Sequence, residues 1–501
     1  MKPQTSTRKA RGTRFSARFA ALAAVLAAFA VPASAQAITV SGTAAPTDPA
    51  AGAHSDINIH MDFSGGQVKD LTVGLPPGVV GDPNATPLCT AAQLNASTGT
   101  TDGCPANTQV GAVSAQAQLV LPVPLAPVTV NGRLYNLAPQ PGEPARFGIV
   151  LHPDPLGVTD PIILQSAVKL RPDFGLDSVI TGIPNTTLLP GDTTIISQDI
   201  TLFGIAPGTG KPFMRNPTSC GLATTRFTAV PHSGSAGTGQ ASFTPTGCGA
   251  LPFSPTFSAK VTVPGRFTGG QKVALSTTIA QGVGEAGLRD AVVRVPSDFA
   301  ADVNQITGGE LCPLPSFQAG ACPAVSVVGS ATSTSPLLTQ ALSGPVIAIE
   351  TPGGGIPMIG LDLTGQLSLR LTGSLAIDNT TTFAGLPDIP ISTFELRFNG
   401  GPDGLLMAKR DVCKPPVPVF NTAFTSHSGV ALAGATPAVV EGCVPCPVKK
   451  GKKKKAKKKR KQGKKSAAVV AKKKKKKGKK KKGACKPKKK KKKKKKGKKR
   501  R

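Results

Sequence analysis

The sequence predicts an all-β protein: tandem, disulfide-containing β-sandwich repeats of immunoglobulin-like type, followed by a disordered C-terminal tail. Three observations carry this reading. Period-2 alternation recurs, as in Leu367-Ser368-Leu369-Arg370-Leu371 and Phe394-Glu395-Leu396-Arg397-Phe398, placing apolar and polar side chains on opposite faces. Glycines (56) and prolines (47) punctuate these short runs as turns, and residues 36–448 hold no long stretch with apolar residues at helical spacing. A set of landmarks then occurs twice in the same order, which points to a duplicated unit.

The chain opens with a basic segment up to Arg18, 13 apolar residues from Phe19 to Val31, and the small-residue site Ala33-Ser34-Ala35. These are the three regions of a secretory signal peptide, assigned to 1–35. Thirteen apolar residues fall short of the ~20 that span a membrane. The mature chain is therefore expected to begin near Gln36, with no transmembrane span, outside the cell.

Residues 36–252 and 253–448 read as two copies of one β repeat. Cys104-Pro105-Ala106-Asn107-Thr108-Gln109-Val110-Gly111 returns as Cys322-Pro323-Ala324-Val325-Ser326-Val327-Val328-Gly329. Lys69-Asp70 returns as Arg289-Asp290, Asn185-Thr186-Thr187 as Asn379-Thr380-Thr381, and His232-Ser233-Gly234 as His427-Ser428-Gly429. The copies are offset by 218 residues at the Cys-Pro pair and by 195 at His-Ser-Gly, so the second copy lacks loop or strand material between Cys322 and Cys413. Each copy is long enough for its own core, as one sandwich or two.

The cysteines follow the repeat. Cys89, Cys104, Cys220 and Cys248 correspond to Cys312, Cys322, Cys413 and Cys443, an even set that reads as disulfides in an exported chain. Four cysteines allow three pairings per copy; the sequence-local one is favoured because each pair brackets a Pro/Gly-rich loop. Cys446 and Cys485 have no counterpart. Cys443-Val444-Pro445-Cys446 has C-x-x-C spacing, but the repeat already assigns Cys443.

Motifs that carry chemistry are sparse. Gly282-Val283-Gly284-Glu285-Ala286-Gly287 has dinucleotide-fingerprint spacing, yet a strand pattern follows it where a helix is needed, so it reads as a hairpin turn. Among His54, His60, His152, His232 and His427, only the last two recur between copies, with no recurring carboxylate or second histidine to complete a metal site or triad. They read as histidines serving backbone groups. Asn84, Asn95, Asn185 and Asn379 head N-x-Ser/Thr sequons. With no Trp and only Tyr135, the rings on which sugars commonly stack are scarce. No catalytic residue, cofactor or metal is expected.

The Leu75-Pro76-Pro77-Gly78 and Cys-Pro-x4-Val-Gly patterns resemble those of a loose group of uncharacterised exported β-repeat proteins from actinobacteria. The resemblance covers most of 36–448. It implies a location outside the cell and names no activity.

Residues 449–501 hold 34 lysines, three arginines and no acidic residue. Setting aside these 37 charges and the six basic residues of 1–35 leaves 18 basic against 26 acidic residues, so the body carries −8 while the chain carries +35. A block of like charge stays solvated and binds polyanions by releasing their counterions. The expected polyanion-binding residues are Lys452, Lys453, Lys454, Lys455, Lys457, Lys458, Lys459, Arg460, Lys472, Lys473, Lys474, Lys488, Lys489, Lys490, Arg500 and Arg501. For an exported chain the partners are anionic cell-wall polymer or anionic lipid headgroups, with non-specific extracellular nucleic acid as a further polyanion. The leading functional reading is a non-enzymatic cell-surface protein held by its tail. The alternatives are a secreted hydrolase or adhesin module with a loop site, and a DNA-binding protein with a histone-like tail.

Overall fold

Alternation in sequence becomes alternation in burial. Along Ile57–Ser64 every second residue, Ile57, Ile59, Met61 and Phe63, is buried, while Asn58, Asp62 and Ser64 are exposed. The computed structural model describes residues 37–444 except 122, 125, 186–191, 266–269, 303–310 and 403. The signal segment, the tail with its lysines, Cys446 and Cys485 lie outside the described residues.

Repeat one contains β1 (Thr39–Pro46), β2 (Ile57–Ser64), β3 (Val68–Leu75), β4 (Val80–Gly81), β5 (Gln109–Leu121), β6 (Val123–Pro124), β7 (Val128–Leu137), β8 (Arg146–His152), β9 (Ile162–Leu170), β10 (Leu176–Ile180), β11 (Asp192–Leu202), β12 (Met214–Arg215), β13 (Ala223–Pro231) and β14 (Gly237–Phe243). Repeat two contains β15 (Thr256–Thr262), β16 (Gln271–Ala280), β17 (Leu288–Arg294), β18 (Phe299–Ala301), β19 (Val327–Thr334), β20 (Leu342–Ile349), β21 (Met358–Leu363), β22 (Leu369–Leu375), β23 (Thr380–Phe383), β24 (Thr393–Phe398), β25 (Leu406–Ala408), β26 (Val419–Ser426), β27 (Ala431–Pro437) and β28 (Val439–Glu441).

The class is all-β and antiparallel, in two repeats. Repeat one runs β1-β2-β11-β5-β7-β8-β9-β10-β3-β13-β14. Repeat two runs β15-β16-β24-β19-β20-β21-β22-β23-β17-β26-β27, matching the first order strand for strand. The material missing from repeat two is strand length and loop, since each of these eleven strands has its counterpart. β5 has 13 residues against 8 in β19, and β11 has 11 against 6 in β24.

Each sandwich is one sheet rolled on itself, its first and last strands meeting in parallel. In repeat one, Ile38 donates to the Ser235 carbonyl at 3.1 Å and Ala51 to that of Thr246 at 2.8 Å, one at each end of the seam. Repeat two closes by parallel pairing of β15 with β28. The rolled faces enclose separate cores, one centred on Met61, Val110 and Phe227, the other on Val273, Val346 and Phe420.

The repeated Cys-Pro-x4-Val-Gly motif has a geometric cause. After Pro105 and Pro323 the chain makes 3-10 turns, Ala106–Thr108 and Ala324–Ser326. The Thr108 and Ser326 hydroxyls each donate to that proline's carbonyl at 2.7 Å. Val110 and Val328 then enter the core, and Gly111 and Gly329 sit at β-bulges. A Cβ at these glycines would lie 2.5 Å from the Thr201 oxygen and 1.9 Å from the Arg397 oxygen.

Disulfides join Cys89 to Cys104, Cys220 to Cys248, Cys312 to Cys322 and Cys413 to Cys443. The first of each repeat fixes a short helix, α1 (Ala91–Asn95) or α2 (Leu314–Ala319), on the outer face of the roll. Leu94 and Phe317 are thereby buried against Leu137 and Ile349. Gly148 and Gly360 make room: a Cβ there would come within 2.7 Å of Leu94 and 2.6 Å of Phe317.

One landmark does not survive. Asn185 follows β10, whereas Asn379 precedes β23, so the two Asn-Thr-Thr segments are not equivalent. Short polar triplets recur in turns without common descent, and the true counterparts of Gly182-Ile183 are Gly385-Leu386.

Candidate functional site: histidine latches and the seam between repeats

The two recurring histidines act alike. His232 Nε2 bonds the Ile183 carbonyl at 2.9 Å, and His427 Nε2 bonds that of Leu386 at 2.8 Å. Their backbone N–H groups donate to Gln67 and Gly287 carbonyls. Beside them the Lys-Asp/Arg-Asp landmark closes the same turn. Asp70 accepts from Gly182 N–H at 2.9 Å, and Asp290 from Gly385 N–H at 3.1 Å. Ile183 and Leu386 then donate to the carbonyls of Lys69 and Arg289 at 2.8 and 2.9 Å. Motifs more than a hundred residues apart in sequence thus converge on one latch per repeat, and its histidine serves backbone groups.

The other histidines are also engaged. His54 Nδ1 bonds the Met214 carbonyl at 2.7 Å. His60 lies on the outer face between Asp199 (2.7 Å) and Asp62 (3.2 Å). The hydrogen bond to Asp199 leads in holding its pKa above the ordinary 6.5; desolvation opposes, and Asp62 adds to the rise.

His152 joins the densest polar cluster. Its Nε2 meets Asp102 at 2.7 Å and its Nδ1 the Gly99 carbonyl at 3.1 Å, so both ring nitrogens are occupied. Arg133 donates to Asp102 at 2.8 Å, and the Tyr135 hydroxyl donates to the same oxygen. Burial pushes the Asp102 carboxyl up, but hydrogen bonds from Tyr135, Arg133 and His152 outweigh it and hold the acid below its usual range. The Tyr135 phenol is raised, by burial first and then by Asp102. The arrangement ties the first disulfide loop to β7 and β8. Among the described residues no group of three His, Cys, Asp or Glu is placed to hold a metal.

The seam between repeats holds deeply buried polar contacts. Thr218 lies on repeat one, 1% exposed, against Asp388 of repeat two, 7% exposed. Gly287 donates to the Thr218 hydroxyl at 3.0 Å, and Arg215 donates to the Glu285 carbonyl at 2.8 Å. Burial lowers the Arg215 guanidinium pKa, partly offset by the charge of Asp388.

Gly282–Gly287 is therefore a turn between β16 and β17 that serves this seam, with Gly284 at φ +81°. At Gly287 a Cβ would sit 2.4 Å from Asp388 Oδ1. Leu75-Pro76-Pro77-Gly78 reaches the same place, where a Cβ on Gly78 would lie 2.8 Å from Asp388 Oδ2. Two further contacts cross the seam, Asn84 Nδ2 to the Pro336 carbonyl at 3.0 Å and Gln366 Nε2 to that of Pro144 at 3.4 Å. Of the other sequon asparagines, Asn95 ends α1 exposed and Asn379 takes a left-handed φ of 65° while donating to the Phe299 carbonyl.

No helix among the described residues is long and apolar enough to cross a membrane. No protein-family model and no curated protein matches the chain. A solved structure of a candidate membrane-anchored protein from Corynebacterium diphtheriae is similar over 81% of this chain and 95% of that one, at 8% identity and a TM-score of 0.20. Likeness at that level transfers neither fold nor function.

Proposed function

We propose that the chain is an exported, non-enzymatic envelope protein whose rolled β repeats are held to anionic cell-wall polymer or anionic lipid headgroups by its lysine tail. One observation carries the reading: 37 positive charges are confined to 449–501, while the body carries −8. A negative body is repelled by an anionic surface, so attraction must come from the tail. Near such a surface each lysine contributes ~1 kcal/mol, and a fraction of the tail suffices. The matched disulfides suit an oxidising compartment. The histidines that recur between repeats bond backbone carbonyls, which removes the one recurring candidate for a hydrolase base.

The test is cosedimentation with purified cell walls and with anionic vesicles. Full-length protein is expected in the pellet and protein truncated after residue 448 in the supernatant. Pelleting of the truncated form would move the function into the β repeats, and exclusive retention on DNA would favour the histone-like alternative.

A further inference from the structure

A cavity of about 150 Å³ lies where the first roll meets repeat two, lined by Phe147, Leu176, Ile180 and Leu202 on one side and by Leu337, Leu338 and Leu342 on the other. Strand register identifies the counterparts of two lining residues. Ile180 pairs with Leu71, the residue after Asp70; Phe383 pairs with Ala291, the residue after Asp290. Leu202 pairs with bulge Gly111, and Phe398 with bulge Gly329. Both phenylalanines belong to the core of repeat two, and Gly373 yields to one of them, since a Cβ there would lie 2.8 Å from the Phe383 ring. Repeat two seats Phe383 over Gly373, which pairs with Ile359, whereas in repeat one Ile180 pairs with Ser166, which pairs with Phe147, so the two repeats fill this region with different side chains. A void forfeits the contacts its lining atoms would otherwise make.

Behind the cavity wall lies an acceptor without a partner. Asn136 lies on β7 two residues from Leu134, so both side chains leave the strand on its inner face, and both line the cavity. The residue is 1% exposed. Its Nδ2 donates to the Pro83 carbonyl at 2.8 Å and to Thr86 Oγ1 at 3.0 Å, which fixes the amide orientation. Its Oδ1 has no hydrogen-bond partner among the described residues. With essentially no accessible surface, that oxygen sits behind the wall, out of reach of anything in the cavity. The Ser166 and Ser178 hydroxyls, also on the wall, already bond each other at 2.7 Å.

We propose that this cavity binds a small neutral apolar molecule, an aliphatic or monocyclic body of about six to eight carbons; an apolar cavity of this size accepts a benzene-sized molecule. The site is independent of the tail and of the envelope reading.

The experiment titrates the oxidised full-length protein with 1-alcohols from butanol to decanol by calorimetry. Affinity is expected to rise about fourfold per methylene up to heptanol or octanol and then to fall as the cavity fills. Leu202→Phe, which installs the repeat-two residue, is expected to weaken heptanol at least tenfold while the protein stays folded. Affinity that climbs without a cut-off, a Leu202→Phe protein that folds and binds unchanged, or no binding would each overturn the proposal. Should the Phe variant fail to fold, the chain-length cut-off decides the question on the unmodified protein.

Discussion

Thr218 and Asp388, 170 residues apart in the chain, meet in the seam between the repeats: the Thr218 backbone N–H donates to Asp388 Oδ2 at 2.7 Å and its hydroxyl to Oδ1 at 2.5 Å. Because the same hydroxyl accepts from Gly287 N–H, one threonine ties a loop of repeat one to two loops of repeat two. Asp388→Ala leaves those buried donors unpaired and removes the carboxylate beside buried Arg215. It is expected to destabilise the protein by about 3 kcal/mol and to uncouple the repeats. Scanning calorimetry should then show two transitions where the parent shows one. A single, unshifted transition would mean that the repeats are joined by other contacts.

The bulge glycines give a sharper prediction because backbone cannot move aside. With a Cβ at 329 only 1.9 Å from the Arg397 carbonyl oxygen, Gly329→Ala must displace β24 from β19. A loss of about 3 kcal/mol is expected, at the upper end of overpacking effects. Gly249→Ala is the control: it replaces a glycine that, like Gly329, has no positive φ, but its Cβ would meet nothing within 4 Å. Urea midpoints that fall equally for both would assign the loss to the glycine's conformational freedom and not to the clash.

These glycines mark what sequence reasoning could reach. Cys-Pro-x4-Val-Gly is local, so its disulfide, turn, core valine and bulge all recur as a readable string, as do the latch histidines. Asn-Thr-Thr was misleading because three small polar residues suit many turns. The rolling of each sheet was not legible, since Ile38 and Ser235 meet through closure of eleven strands and no local pattern records that. Asp388 was missed for the same reason: a single acid between Pro387 and Ile389 carries no signal until the fold sets Thr218 against it. The cavity residues alternate along separate strands and look like ordinary core.

His60 gives the body a pH dependence of known sign. Its folded-state pKa lies above 6.5, raised chiefly by the Asp199 hydrogen bond and further by Asp62. The interaction therefore stabilises fully below about pH 6.5 and is lost as pH rises through the folded value. The cluster is part-exposed, so the effect should stay below ~1 kcal/mol. Urea midpoints of parent and His60→Gln should differ at pH 5.5 and converge by pH 8.5. A difference that persists at pH 8.5 would show that the histidine acts through packing and not through charge.

The salt dependence of envelope binding tests the central claim most directly. A flexible cationic tail on an anionic polymer releases counterions in proportion to its contacts, ~0.7 per neutralised charge on a single-stranded-like chain. If ten lysines engage, log affinity against log salt should fall with a slope of about −7, and shuffling residues 449–501 should leave that slope unchanged. A slope near zero, or binding that survives removal of the tail, would contradict the account and place recognition in the β repeats.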